Sequence, residues 1–150
     1  MSATIHASAV LVGARAVLIR GPSGSGKSRL ALALLQAADR GALAFARLVA
    51  DDRAHVEAVH GRLLVRPAPA LAGMLEVHGL GIRRVPHEPL AVVGLLVDLG
   101  LSEAERLPGP ASRRAEIAGI QLPRLAVAAG ADPLPLVLAY LLTRGPETRF

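Results

Sequence analysis

GPSGSGKS at residues 21–28, running straight into RLALALL at residues 29–35, is the stretch whose reading decides the fold. It fills every fixed position of the pattern G-x-x-x-x-G-K-[ST]. The spacing has a physical reason. Successive backbone N–H groups of Ser23 to Ser28 turn inward only where glycines relieve a Cβ clash or accept a positive φ. A helix is expected over residues 28–38, with Leu30, Leu32, Leu34 and Leu35 set among alanines. Its N-terminal partial charge points at the space the loop encloses. Such a loop cradles nucleotide phosphates, so Gly21, Pro22, Ser23, Gly24, Ser25, Gly26, Lys27 and Ser28 are the expected contacts. Lys27 is expected on the β- and γ-phosphates and the Ser28 hydroxyl on Mg2+, which makes ATP and Mg2+ the expected ligands. Composition points the same way. Lys27 is the only lysine among 17 Lys and Arg residues. Arginine is a poor substitute there, because its planar fork cannot act as a compact point charge inside a tight loop.

Upstream, residues 5–12 and 16–20 read as two strands joined at Gly13-Ala14-Arg15, an expected hairpin leading into the loop. Downstream, Leu48-Val49-Ala50-Asp51-Asp52 reads as a short buried strand running into two carboxylates. Residues 55–59 and 63–66 read as strands flanking a turn at His60-Gly61, and residues 67–70 as a Pro/Ala connector. Residues 90–99 form a strongly apolar strand. Residues 102–114 are polar and proline-containing, an expected loop, and residues 135–142 carry a short helical pattern. No internal repeat and no linker divides the 150 residues, so one α/β domain over 1–150 is expected, a mixed β-sheet with flanking helices.

Composition excludes several classes. Apolar residues make up 52% of the chain, enough for a core. Phe45, Tyr140 and Phe150 are the only aromatics, too few for base-stacking platforms. The net charge of +5 is scattered, with only Arg83-Arg84 and Arg113-Arg114 adjacent, so no nucleic-acid face is expected. Cysteine is absent, which rules out disulfides and thiolate zinc sites. The longest apolar runs are broken by Asp98 or by prolines, and no signal peptide pattern opens the chain. The expectation is a cytoplasmic protein without membrane association.

Asp51 and Asp52 follow the loop helix where nucleotide-binding proteins place an acidic residue for the Mg2+ shell. Adjacent carboxylates at a strand end point to opposite sides, so one would order the metal and the other would accept a proton. The order of these roles is open from the residues alone, and a helix cap or a salt bridge to Arg53 is the plainer alternative. His6 opens the first strand and lies beside Asp52 if the hairpin folds over the loop. Glu76 precedes the Gly79-Leu80-Gly81 turn, where backbone can approach a ligand and a carboxylate can complete a Mg2+ shell. The histidines lack the spacing of a zinc motif.

Taken together, IHASAVLV, GPSGSGKSRLALALL, LVADDRAHVE and LEVHGLGI occur in the order seen in the catalytic domain of HPr kinase/phosphorylase, which this chain resembles over about its first two-thirds. That bacterial enzyme acts on the phosphocarrier protein HPr. The last segment resembles the family signature Glu-Val/Ile-Arg-Gly-Leu-Gly, with His78 in place of the arginine. The resemblance implies a fold of the phosphoenolpyruvate carboxykinase type and an ATP- and Mg2+-dependent serine kinase in phosphotransferase-system regulation. It places catalytic roles on His6, Lys27, Asp52 and Arg106, with Asp52 favoured for proton transfer. It places metal contacts on Ser28, Asp51 and Glu76. HPr or a similar carrier is the implied partner and a hexamer the implied assembly. The late Pro-x-x-Pro-Gly-Arg-Asn segment tied to dephosphorylation is replaced by Leu122-Pro123-Arg124-Leu125, so the expectation is a short form in which kinase activity leads. Two rival readings are a non-catalytic ATP-sensing regulatory module and a small-molecule kinase.

Overall fold

In the computed structural model, which describes residues 2–105 and 108–146, the chain opens with β1 (Ser2–Val12) and returns as β2 (Arg15–Arg20). The glycine-rich loop leads into α1 (Lys27–Asp39). Then come β3 (Ala46–Ala50), β4 (Arg53–Val59), β5 (Arg62–Pro67) and a turn of 3-10 helix at Pro69–Leu71. The small hairpin β6 (Met74–Val77) and β7 (Gly81–Arg84) precedes β8 (Ala91–Leu101). The chain closes with β9 (Arg114–Ile117), β10 (Ile120–Ala128) and α2 (Pro133–Leu142). Among the described residues, no helix is long and apolar enough to cross a membrane.

Two 11-residue strands organise the sheet, because each is long enough to serve different partners along its length. The first half of β1 pairs antiparallel with β4, from Ser2 opposite Glu57 to His6 opposite Arg53. Its second half lies between β2 and β3. β8 begins against β5 at Ala91 and Val92, continues parallel to β2 from Val93 to Asp98, and ends parallel to β10. β1, β4, β5, β8 and β2 therefore close into a ring, from which β3, β10 and β9 extend the mixed sheet.

Two cores follow from the alternation of side chains along these strands. Ala7, Ala9, Leu18, Val56, Leu63, Val65 and Leu96 pack together inside the ring. Val10, Val17, Ile19, Leu95 and Val97 face the other way, against Leu30, Ala31 and Leu34 of α1 and Val137 of α2. The helical spacing of Leu30, Ala31, Leu34 and Ala37 puts the buried stripe of α1 on this face. Truncating Leu34 to Ala there would cost about 2–5 kcal/mol. A register shift beside Gly94 lets β8 serve both cores, and a Cβ at Gly94 would stand 2.7 Å from the Arg15 Cβ.

The expected hairpin before the glycine loop is present, as are the expected helix and the strand pair around His60-Gly61. That turn has φ of 50° and 76°, the left-handed pair that two-residue hairpins favour. The hairpin formed by β9 and β10 is an addition to the sequence expectations. Its strands meet at Ala118 and Gly119, again with positive φ of 51° and 80°.

Candidate active site

Gly21–Gly26 forms a bend between β2 and α1. Gly24 and Gly26 carry φ of 80° and 103°, a left-handed backbone that other residues adopt only with strain. Ser25 N–H donates to the Pro22 carbonyl at 3.0 Å, closing the bend. Gly21 is glycine for a different reason. A Cβ there would collide with the Ser25 Oγ and lie 3.1 Å from the Leu99 carbonyl. The Ser25 hydroxyl is itself buried without a hydrogen-bond partner among the described residues. Lys27 folds back over the bend, its Nζ donating to the carbonyls of Gly21 at 2.9 Å and Pro22 at 3.2 Å.

Asp51 is the hub of the site. Its Oδ1 accepts the Ser28 hydroxyl at 2.7 Å and the Ser8 hydroxyl at 2.6 Å, and its Oδ2 accepts the Glu76 backbone N–H at 3.0 Å. One carboxylate thus joins α1, β1 and β6. Asp51 is 5% exposed and Ser8 is wholly buried. Ser8 was not expected from sequence. A serine in a strand carries no signature, and only the folded register sets it beside the carboxylate. Glu76 meets this hub through its backbone, and its side chain is exposed.

Asp51 is buried and Asp52 exposed, and the change falls at a bend rather than on the strand pleat. β3 ends at Ala50, and Asp52 takes φ of 68° with its side chain exposed. Its carbonyl accepts the Ala7 N–H at 3.1 Å, which sets it next to His6. His6 is exposed, opposite Arg53 and one alternation along β1 from Ser8. β1 lies within the sheet, where His6 closes its pairing with β4. His78 is exposed in the turn between β6 and β7. Arg106 lies outside the described residues.

A second ionic cluster, also missed in the sequence, lies at the ends of the parallel strands. Asp98 is 8% exposed. Arg20, the last residue of β2, grips it with Nε at 2.8 Å and a second guanidinium nitrogen at 3.0 Å. Arg124 of β10 adds its Nε at 2.6 Å. Burial alone would raise the Asp98 carboxyl. The hydrogen bonds from Arg20 and Arg124, with their charges, outweigh it and hold the group below the usual carboxylate range. The same bond raises Arg20 above its ordinary value. Beside Arg124 opens a cleft of about 980 Å3, bordered by Leu101, Glu103, Ser112, Arg113 and Tyr140.

The arrangement suits a Mg2+-nucleotide. Mg2+ bound with phosphates takes only one or two protein ligands, and Ser28 Oγ and the Asp51 carboxylate lie together at the start of α1. The start of α1 and the Lys27 ammonium lie at the same loop, a combination that suits an anion.

Known proteins share this framework. The model of the HPr Serine kinase C-terminal domain matches residues 1–88. HPr kinase/phosphorylase of Clostridium tetani is 43% identical over 70 residues, which are 47% of this chain and 21% of that protein. The protein of the same name from Geobacillus thermodenitrificans is 33% identical over 137 residues, covering 82% of this chain and 41% of that protein. The matched stretches thus span less than half of these curated relatives. The solved structure of the Hpr(Ser) kinase/phosphatase from Coxiella burnetii is similar with a TM-score of 0.72 at 26% identity, covering 93% of this chain and 88% of that one. With the family model spanning the hairpin, the glycine loop, the Asp51 hub and the Glu76 segment, the chain belongs to the HPr Serine kinase C-terminal domain family.

Proposed function

We propose that this chain is an ATP- and Mg2+-dependent protein-serine kinase acting on HPr or an HPr-like phosphocarrier. The observation that carries the reading is the convergence of Ser28, Ser8 and Glu76 on Asp51 at the foot of a glycine-rich loop. Family membership supplies the substrate class, and the similarity to an Hpr(Ser) kinase/phosphatase supports a kinase of this type. The phosphate loop and a phosphoenolpyruvate carboxykinase-like fold are part of the same proposal.

In this reading the amides of residues 23–28 and α1's N-terminus hold the β- and γ-phosphates. Lys27 leaves the Gly21 and Pro22 carbonyls to meet them. Ser28 and Asp51 would hold Mg2+, with Glu76 completing its shell, and the ion would supply charge neutralisation on the phosphates. The acceptor serine's Oγ forms a bond to the γ-phosphorus as the bond to the ADP oxygen breaks. Its proton passes to Asp52, whose exposure leaves it reachable by a protein substrate. His6, opposite Arg53 at the end of the pairing with β4, is proposed to assist Asp52 in that proton transfer. Arg106 is proposed to stabilise charge on the migrating group.

The test is transfer of labelled phosphate from ATP to purified HPr, with a carrier lacking its target serine as control. Serine-dependent label is expected, lost in Asp52→Asn while ATP binding persists. ATP binding without any label would instead identify a nucleotide-sensing module, and full turnover by Asp52→Asn would remove that residue from its role.

A further inference from the structure

The Arg20–Asp98–Arg124 cluster lies outside the phosphate site, yet it touches both the strand that feeds the loop and the segment that walls the cleft. Arg20 immediately precedes Gly21 and holds both oxygens of Asp98. Arg124 reaches the other way. While its Nε bonds Asp98 at 2.6 Å, a terminal guanidinium nitrogen donates to the Ser112 carbonyl at 3.2 Å. Its backbone N–H donates to the Arg113 carbonyl at 2.8 Å. Ser112 also donates from its hydroxyl to Glu105.

The strand carrying Asp98 has no slack against the loop. Glycine is required at both faces of that contact. A Cβ on Gly21 would meet Leu99 at 3.1 Å, and one on Gly100 would meet the Pro22 Cδ at 3.0 Å and the Ser25 Cβ at 3.2 Å. A displacement of the loop on closing around phosphates therefore pushes on β8, and β8 is tied through Asp98 to Arg124.

We propose that Asp98 is a positioning residue that links the phosphate loop, through Arg20 and Arg124, to residues 108–113 at the cleft. Nucleotide seated in the loop thereby sets the wall against which the acceptor rests. The chemical output of this link depends on the kinase reading above, whereas the link itself does not. Coulomb attraction gives a useful contrast. Asp98→Asn raises the local charge from +1 to +2 by removing the one carboxylate facing two guanidinium groups. Electrostatics alone then predicts tighter nucleotide binding. A broken linkage predicts unchanged binding with slowed transfer.

Hydrogen exchange of the full chain, with and without a non-hydrolysable ATP analogue and Mg2+, tests the link directly. In the natural sequence the analogue should slow exchange at residues 108–113 as well as at residues 21–28. In Arg124→Gln, which spares the Arg20–Asp98 pair, protection of the loop should remain and that of residues 108–113 should vanish. Analogue affinity should stay within about twofold, and kcat for transfer to HPr should fall on the order of tenfold at unchanged KM for ATP. Arg20→Gln, which cuts the other arm, should give the same loss of remote protection. Remote protection that survives in both variants, or that is absent from the natural sequence, would overturn the proposal. Protection that behaves as described in a chain that never phosphorylates HPr would uphold the link and defeat the kinase reading alone.

Discussion

Replacing Asp51 by asparagine, and separately by alanine, distinguishes a carboxylate that merely ties elements together from one that also serves a metal. The Asp51 carboxylate accepts hydrogen bonds from Ser8 Oγ, Ser28 Oγ and the Glu76 N–H at 2.6, 2.7 and 3.0 Å. The backbone N–H can only donate, whereas serine hydroxyls rotate and can also accept. The amide introduced by Asp51→Asn therefore fits in one orientation, with its carbonyl toward Glu76 and its NH2 toward both serines. All contacts survive, but each changes from charge-assisted to neutral, a loss of about 1 kcal/mol apiece and about 3 kcal/mol in total. For a chain of this size that corresponds to a drop in Tm of about 6–12 °C.

Asp51→Ala has no such rescue. It strands the wholly buried Ser8 hydroxyl, adding about 1–3 kcal/mol for the orphaned group. Thermal unfolding should therefore rank natural sequence above Asp51→Asn above Asp51→Ala. In parallel, titration with a fluorescent ATP analogue should show that Mg2+ strengthens binding to the natural sequence. That Mg2+-dependent gain should shrink by about tenfold or more in Asp51→Asn, equivalent to ~1.4 kcal/mol. Binding in EDTA should change little. An Asp51→Ala Tm at or above that of Asp51→Asn would refute the hydrogen-bond argument, and an undiminished Mg2+ effect in Asp51→Asn would refute the metal role.

Two further outcomes follow from features away from the hub. Gly100→Ala forces a side chain at φ of 72° against Pro22 and Ser25, whereas Gly119→Ala meets nothing within 4 Å at φ of 80°. Both should lose about 1–2 kcal/mol of stability from backbone strain, but only Gly100→Ala should also weaken nucleotide binding. Asp98, with its folded pKa depressed, contributes stability that is fully present above the ordinary carboxylate value of about 4 and is lost as pH falls through the folded value. Urea unfolding between about pH 5 and pH 3 should thus show a shallower acid decline in Asp98→Asn than in the natural sequence.

The parts legible in the sequence are those with local signatures. Glycines 24 and 26 announce a left-handed bend, Lys27 and Ser28 its chemistry, and the leucines after it a helix with one buried face. The pair β9 and β10 was hidden because Pro123, which lacks an N–H, interrupts its apolar run and speaks against a strand. In the sheet, Pro123 stands opposite Arg114 on the pair with β9. Ala118 at positive φ gives no warning either, since the residues that usually mark such a turn are asparagine and aspartate. Ser8 and the Asp98 cluster were invisible for a different reason. Their partners are distant along the chain, with Asp98 78 residues from Arg20 and 26 from Arg124. No short window contains the interaction, so only the sheet order reveals it.

The ring closure has a consequence for the order in which the molecule can be made. β2 gains its parallel neighbour only from residues 93–98, and Asp98 gains its second arginine only at residue 124. A nascent chain emerging from the ribosome carries the glycine loop early, on a strand with one long edge still open. That edge waits for a partner about 78 positions later, the kind of distant pairing that slows folding and exposes intermediates to aggregation. The loop's sequence is therefore complete long before its foundation is. Chains halted before β8 would carry every residue of the glycine-rich motif without the support that gives the motif its shape.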